Sequence, residues 1–272
     1  MATLFRSPTL AIAIVLLGII VLLAVFAGAI APYPPNLIDS NSVLAAPSWT
    51  HLAGTDEVGR DIFSRILYGA RPSLAVACSI VLIAASGGIV VGCASGLAGG
   101  VVDTVIMRIV EIVMSMPGLV IALSLTAALG PSLVNLTIAL GLLGIPYYTR
   151  VARGQTLLLR EREYVRSARA MSASNVHIFV RHIFPNLLPT VIIFMSLGLS
   201  GALLGASALS FIGLGAQPPM AEWGALVNAS RDYMLNEWWY AVFPGFAVAI
   251  TSLGFTMLGD GLRDFLDPKA SR

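Results

Sequence analysis

Residues Leu10 to Ala31 read LAIAIVLLGIIVLLAVFAGAIA. No charged side chain interrupts them, and a helix of about 20 apolar residues matches the roughly 30 Å hydrocarbon core of a bilayer. The run follows Arg6 and ends in Ala29-Ile30-Ala31 before Pro32, a layout shared with secretory signal peptides. The apolar region of a signal is about 7–15 residues, shorter than this one, so the run is read as an uncleaved first span. Further apolar runs follow at Leu74–Leu97, Val105–Leu129, Val134–Tyr148, Leu187–Leu214 and Ala241–Leu258. The run at Val134–Tyr148 is short, and must extend through Arg150 or begin near Leu129 to cross.

Composition agrees. Of the 272 residues 57% are hydrophobic and 11% charged. Soluble domains carry about 25% charged residues, so lipid is the solvent this chain requires. The expected fold class is all-α: a polytopic membrane protein with six transmembrane helices. One set of connections holds Arg150, Arg153, Arg160, Arg162, Arg166, Arg169 and Arg181, with Arg6 at the start and Arg263, Lys269 and Arg272 at the end. The opposite set holds Arg60, Arg65, Arg71 and Arg231. Positive residues favour the cytoplasm, which places both termini inside. The net charge of +2 does not point to nucleic acid. Cys78 and Cys93 fall on one apolar stretch, about 22 Å apart by helical rise, too far to bridge.

The cytoplasmic connection after the fourth run is the most informative. Tyr164, Ala168 and Met171 repeat at helical spacing on one face, and Arg162, Arg166 and Arg169 on another. Glu161 and Glu163 stand at the expected N-terminus, where the helix dipole favours negative charge. Such a helix can dock in a groove of another protein, or be a basic loop that only sets orientation. In the outer loop, Ile62, Phe63, Ile66 and Leu67 form an apolar stripe and Asp61 can pair with Arg65 at i, i+4, predicting a short amphipathic interfacial helix before span two. It reads either as a structural plug or as part of an outer gate or docking face. In span three Arg108 and Glu111 can neutralise one another, Asp103 lies at its mouth, and Pro117 should kink it. Trp238-Trp239-Tyr240 suits the headgroup region where the last span begins. Gly88, Gly92 and Gly96 share a helix face, for packing either within the chain or against a partner.

Several chemistries find no support. His51 lies outside, and His177 and His182, inside, are five apart and off a common helix face, so no metal set forms. No catalytic grouping assembles for an intramembrane hydrolase. A self-sufficient secondary transporter relies on midplane carboxylates or histidines and often on inverted repeats; the carboxylates here sit near span ends and no repeat is visible. Lys269 is the only lysine, flanked by Pro268 and Ala270, so the chain has no phosphate-binding loop of the G-x-x-x-x-G-K-[ST] type.

Glu163 through Ser172, followed by Ile178 and the stretch Arg181-His182-Ile183-Phe184-Pro185-Asn186, resembles the EAA loop of ABC importer permeases, in the version of the dipeptide, oligopeptide and nickel subfamily. Gly54-Thr55-Asp56, Gly59-Arg60-Asp61, Ser64-Arg65, Gly69-Ala70-Arg71 and Ser73-Leu74 resemble the outer-loop motif of its C-type subunit. Asp103, Met107-Arg108, Glu111 and Pro117 also match, as do Glu222-Trp223-Gly224, Trp238-Trp239 and Pro244-Gly245. The loop departs from the general pattern at Arg166-Ser167-Ala168, which replaces Glu-Ala-Ala, and at Ser172, which replaces a glycine.

The resemblance implies a type I importer permease fold in a bacterial inner membrane. Residues 1–71 would form the first span and outer loop, and residues 72–272 the permease core, with a coupling helix at about 161–175. ATPase coupling would fall to Glu161, Glu163, Tyr164, Val165, Ala168, Arg169, Ala170, Ser172, His182, Pro185 and Asn186. Gating or binding-protein docking would fall to Gly54, Thr55, Asp56, Gly59, Arg60, Asp61, Ser64, Arg65, Arg71, Glu222 and Trp223. Implied partners are a second permease, cytoplasmic ATPases that bind ATP and magnesium, and an extracytoplasmic peptide-binding protein. The chain would have no cofactor or metal of its own and would form half of a pathway for di- or oligopeptides by alternating access. Nickel or glutathione are the alternative cargoes.

Overall fold

The computed structural model describes residues 8–266. Among them the chain is helical, with one isolated antiparallel bridge between Thr55 and Asp61. The helices are α1 (Pro8–Val25), α2 (Ala27–Ile30), α3 (Ile62–Ala98), α4 (Gly100–Ser115), α5 (Gly118–Leu129), α6 (Leu133–Arg160), α7 (Glu163–Ala170), α8 (Asn175–Ile178), α9 (Phe184–Phe211), α10 (Trp223–Ala229) and α11 (Trp238–Leu266), with a π turn at Phe179–Ile183 between α8 and α9. By length and composition α1, α3, α11 and the continuous stretch Asn175–Phe211 can each cross a membrane, and α4 with α5 passes the same test as a bent pair. α6 extends through Arg150, as the short fourth run required, and its 28 residues make a rod of about 42 Å. Arg6, Lys269 and Arg272, counted above with the inner charges, lie outside the described residues.

The core is the pairing of α3 with α6, the most extensive helix contact among the described residues. Side chains on this seam are small because the backbones touch. A Cβ on Gly88 would strike Tyr148, one on Gly92 would meet Ala152 Cβ at 2.9 Å, and one on Gly96 would meet Thr156 Cβ at 2.9 Å. Without a hydrophobic driving force between helices in lipid, such close approach is what holds them together. The Gly88-Gly92-Gly96 face therefore packs within the chain. α9 lies against α3 and α11, and α1 against α11.

Two expectations are corrected. No separate interfacial helix precedes span two: α3 begins at Ile62 and runs unbroken through Pro72 to Ala98, so the division at residues 71 and 72 falls inside one helix. Ile62 and Leu67 are buried, and Phe63 and Ile66 pack with Ala53 and Tyr240, so the stripe is covered by other parts of the chain itself. Span three is broken rather than kinked: α4 and α5 meet at 87°. Met116, preceding a proline, adopts φ −94° and ψ 145°, off the helical region, because the Pro117 ring crowds a helical conformation there. The amides of Val120 and Ile121 then restart hydrogen bonding on the Pro117 carbonyl.

Candidate functional site

The α7 segment is built around one anchor. Val165 of α7 is buried in a cluster with Cys93, Ala152, Ile178, Ile183, Leu187 and Val191, which pins α7 beneath α3, α6 and α9. Its neighbours face away: Tyr164 is 43% and Met171 83% exposed, and Arg162, Arg166 and Arg169 are exposed with them. Glu163 occupies the first turn, whereas Glu161 caps the end of α6 and pairs with Arg160 at 3.1 Å. The helix is shorter than the expected 161–175: it starts at Glu163 and stops at Ala170. The Ala173 amide donates to the Ala168 carbonyl at 3.1 Å and the Ser172 amide to the Arg169 carbonyl at 3.0 Å, a Schellman closure. Ser172 takes φ +62° to allow it. That is the left-handed position where glycine is favoured, the physical reason a glycine is usual there.

His177 and His182 are brought together, contrary to the helix-face expectation. Bonds in a π turn run from i to i+5, so residues five apart return to the same side, and the two rings lie 6.0 Å apart. Tyr164 lies 5.9 Å from the His182 ring. Asn186 Nδ2 donates to the His182 carbonyl at 2.7 Å, and Pro185 sits in the first turn of α9. Among the described residues no three metal-ligating side chains converge.

In the first turn of α4, Asp103 does more than sit at the mouth of a span. Arg153 of α6 grips both carboxylate oxygens, Nε at 2.5 Å and Nη2 at 2.6 Å, and Ser95 Oγ of α3 donates at 2.5 Å. Arg160 Nη1 donates to the Gly96 carbonyl at 3.0 Å. Arg108 and Glu111 do pair, at 3.2 Å, but with 75% and 52% of their side chains exposed. Sequence reasoning missed Arg153, because fifty residues separate it from Asp103 and no local spacing links them.

The outer motif forms a buried polar knot. The Asp56 carboxylate accepts from the Val58 amide at 3.0 Å, the Arg60 amide at 2.9 Å and Arg60 Nε at 2.5 Å, with Arg65 Nε at 3.7 Å. The predicted Asp61–Arg65 pair does not form. Asp61 is the N-cap of α3, so its carboxylate turns back to accept from the Ser64 amide at 2.7 Å and contacts His51 Nδ1 at 2.9 Å. Arg65 instead donates to the Pro35 carbonyl at 3.0 Å. Ser64 Oγ accepts from the Tyr33 amide at 3.2 Å. Thr55 Oγ1 donates to the Ser42 carbonyl and accepts from the Ala45 amide at 2.7 Å. Gly59, at φ +80°, lets the chain turn against the Asp39 carbonyl where any side chain would collide. Gly54, at φ +74°, lies under Trp239. Glu57 accepts from Tyr240 OH of α11, a partly buried contact that sequence reasoning did not foresee. Arg71 caps α1: Nε and Nη2 donate to the Ala24 and Val25 carbonyls at 2.7 and 2.9 Å, two of the carbonyls a helix end leaves unsatisfied.

Glu222 and Trp223 are likewise turned inward, each 2% exposed. Glu222 caps α10 by accepting from the Gly224 and Ala225 amides, and Ser73 Oγ donates to it at 3.1 Å. Trp223 Nε1 donates to the Ile66 carbonyl at 2.9 Å. These residues lock α10 to α3. Away from both ends, a cavity of about 280 Å³ opens between α3, α6 and α9, with Gly118 at the helix break, Leu143, Tyr147, Tyr148 and Gly201 among its lining. It is an almost wholly apolar hollow in the middle of the helices, with no charged side chain in its wall.

The chain is similar to transport permeases along nearly its whole length. It is 47% identical over 264 residues to the "Probable D,D-dipeptide transport system permease protein DdpC" of Escherichia coli K12, covering 97% of this chain and 89% of that protein. It is 42% identical over 270 residues to the dipeptide transport system permease protein DppC of the same organism, covering 97% and 90%. The glutathione transport system permease protein GsiD of Pectobacterium atrosepticum is 40% identical over 252 residues, covering 92% and 84%. Residues 88–272 match the family described as "Binding-protein-dependent transport system inner membrane component". An all-helical chain with several apolar helices of spanning length, matched to that family over most of its residues, is a multi-pass transport permease, and it belongs to the binding-protein-dependent transport system inner membrane components.

Proposed function

We propose that this chain is one of two membrane subunits of an ABC importer for di- or oligopeptides, crossing the inner membrane six times with both termini in the cytoplasm. The crossings are α1, α3, the broken pair α4–α5, α6, α9 and α11. The observation that carries the reading is α7: Val165 anchors it to the helices, while Tyr164, Met171 and the arginines are offered outward. A short helix fixed on one side and basic and apolar on the other is suited to seat in a cleft of a cytoplasmic ATPase, which binds ATP and magnesium and does the hydrolysis. Glu163 in its first turn and the Ser172 closure hold its ends. An extracytoplasmic binding protein delivers cargo, and the apolar cavity supplies half of the route between the two permeases. The permeases for D,D-dipeptides, dipeptides and glutathione to which the chain is similar support short peptides as cargo.

The test uses the assembly captured from native membranes through a tag on this chain. In a background with Cys78 and Cys93 replaced by alanine, a crosslinker on M171C should capture a nucleotide-hydrolysing subunit. Vesicles holding the assembly with its binding protein should take up labelled alanyl-alanine in the presence of ATP, with glutathione as the comparison cargo. Failure to capture an ATPase, or uptake by the isolated chain under a proton gradient, refutes the proposal.

A further inference from the structure

We infer that Asp103 and Arg153 form a latch that carries motion of the α7 segment to the helix break beside the cavity, an inference that rests on the importer reading above and deepens it. α6 runs without interruption to Arg160, and two residues, Glu161 and Arg162, separate it from α7. Displacing α7 therefore pulls directly on the last turns of α6. Arg153 stands in those turns and holds both carboxylate oxygens of Asp103. Two parallel charge-assisted bonds fix orientation as well as distance, so α4 must follow α6 while they last. Ser95 adds α3 to the same carboxylate, and the Arg160–Gly96 bond ties α3 to α6 about two turns further along α6.

Little else restrains α4. Val110 is its one buried residue, while Val101, Val105, Ile109 and Ile112 stand more than half exposed. Both its ends are joints. Gly99 precedes it and Gly100 opens it, at φ +64° and +55°, a pair with wide backbone freedom, and the Met116–Pro117 break follows it. A rod jointed at both ends and gripped near one of them swings its far end when the grip moves. That far end leads into Gly118, which lines the cavity together with Tyr147 and Gly201. Asp103 and Arg153 are thus positioning residues: they touch no cargo and act through α4.

The experiment reads the thiol introduced by G118C, in the C78A/C93A background, within the assembly captured from native membranes. In the parent, adding ATP with vanadate should change the alkylation rate at G118C by roughly 5-fold or more, the lower edge of a measurable energetic coupling. D103N and R153Q should each abolish that response while ATP hydrolysis and a monodisperse assembly persist. The exchanged pair D103R/R153D should restore it, which ties the response to the ion pair and not to either side chain alone. A full nucleotide response in D103N and R153Q overturns the latch and leaves the importer reading standing. Parent protein that hydrolyses ATP but shows no response at G118C also overturns the latch alone, whereas an assembly with no ATP hydrolysis overturns the importer reading, and the latch with it.

Discussion

Asp56 has the most partners of any side chain in the outer knot, and replacing it with alanine tests whether the knot holds the loop. The carboxylate is fully buried and accepts from two backbone amides and Arg60 Nε, with Arg65 Nε beside it. The arginine side chains are 12% and 5% exposed, so without Asp56 they lose their shared counter-charge in a place water scarcely reaches. Removing one member of a buried ion pair costs about 3–5 kcal/mol. Glu57 still holds Arg60 Nη2 at 3.0 Å and offsets part of the loss, which favours the lower figure. At about 1.4 kcal/mol per factor of ten, about 3 kcal/mol speeds local opening by about two orders of magnitude. Hydrogen exchange in lipid nanodiscs reads this directly. The Gly59 amide, bonded to the residue 56 carbonyl, and the Ile62 amide, bonded to the Gly54 carbonyl, should lose protection by about that factor, while amides in the middle of α9 stay as they were. If Gly59 and Ile62 exchange at parental rates in Asp56→Ala, the arginines have other adequate partners and the knot does not depend on this carboxylate.

Ser172→Gly should tighten the end of α7, because the non-glycine left-handed conformation costs roughly 1–2 kcal/mol that glycine avoids. The Ser172 and Ala173 amides should gain about tenfold in exchange protection, and a loss of protection would refute the Schellman reading. The glycines should divide sharply by position. Gly92→Val puts side-chain atoms against Ala152 and the Thr149 carbonyl, and overpacking of this kind costs about 1–3 kcal/mol. Gly201→Ala meets nothing within 4 Å and gains up to about 1 kcal/mol of helix propensity. Thermal unfolding in detergent should rank Gly92→Val below the parent and Gly201→Ala at or above it, and the reverse order would refute the seam.

Much of this protein is determined locally. Apolar runs of spanning length, a scarcity of charge and a lopsided distribution of arginine follow from what lipid tolerates, and each can be read along the chain without knowing what touches what. Spacing is equally legible where one helix turn decides the matter, as in the basic and apolar faces of α7 or the Arg108–Glu111 pair. Tertiary structure alone decided partners far apart in sequence. Asp103 chose Arg153 and Ser95, Glu57 chose Tyr240, Glu222 chose Ser73, and Arg71 reached back to the end of α1. It also overruled local rules: Asp61 forsook Arg65 because a helix end had unsatisfied amides to offer, and a π turn set two histidines side by side. The division has one cause. Transfer from water to lipid acts on each residue by its own chemistry, whereas a buried charge or an unsatisfied carbonyl takes whichever partner the packing of distant helices brings within reach.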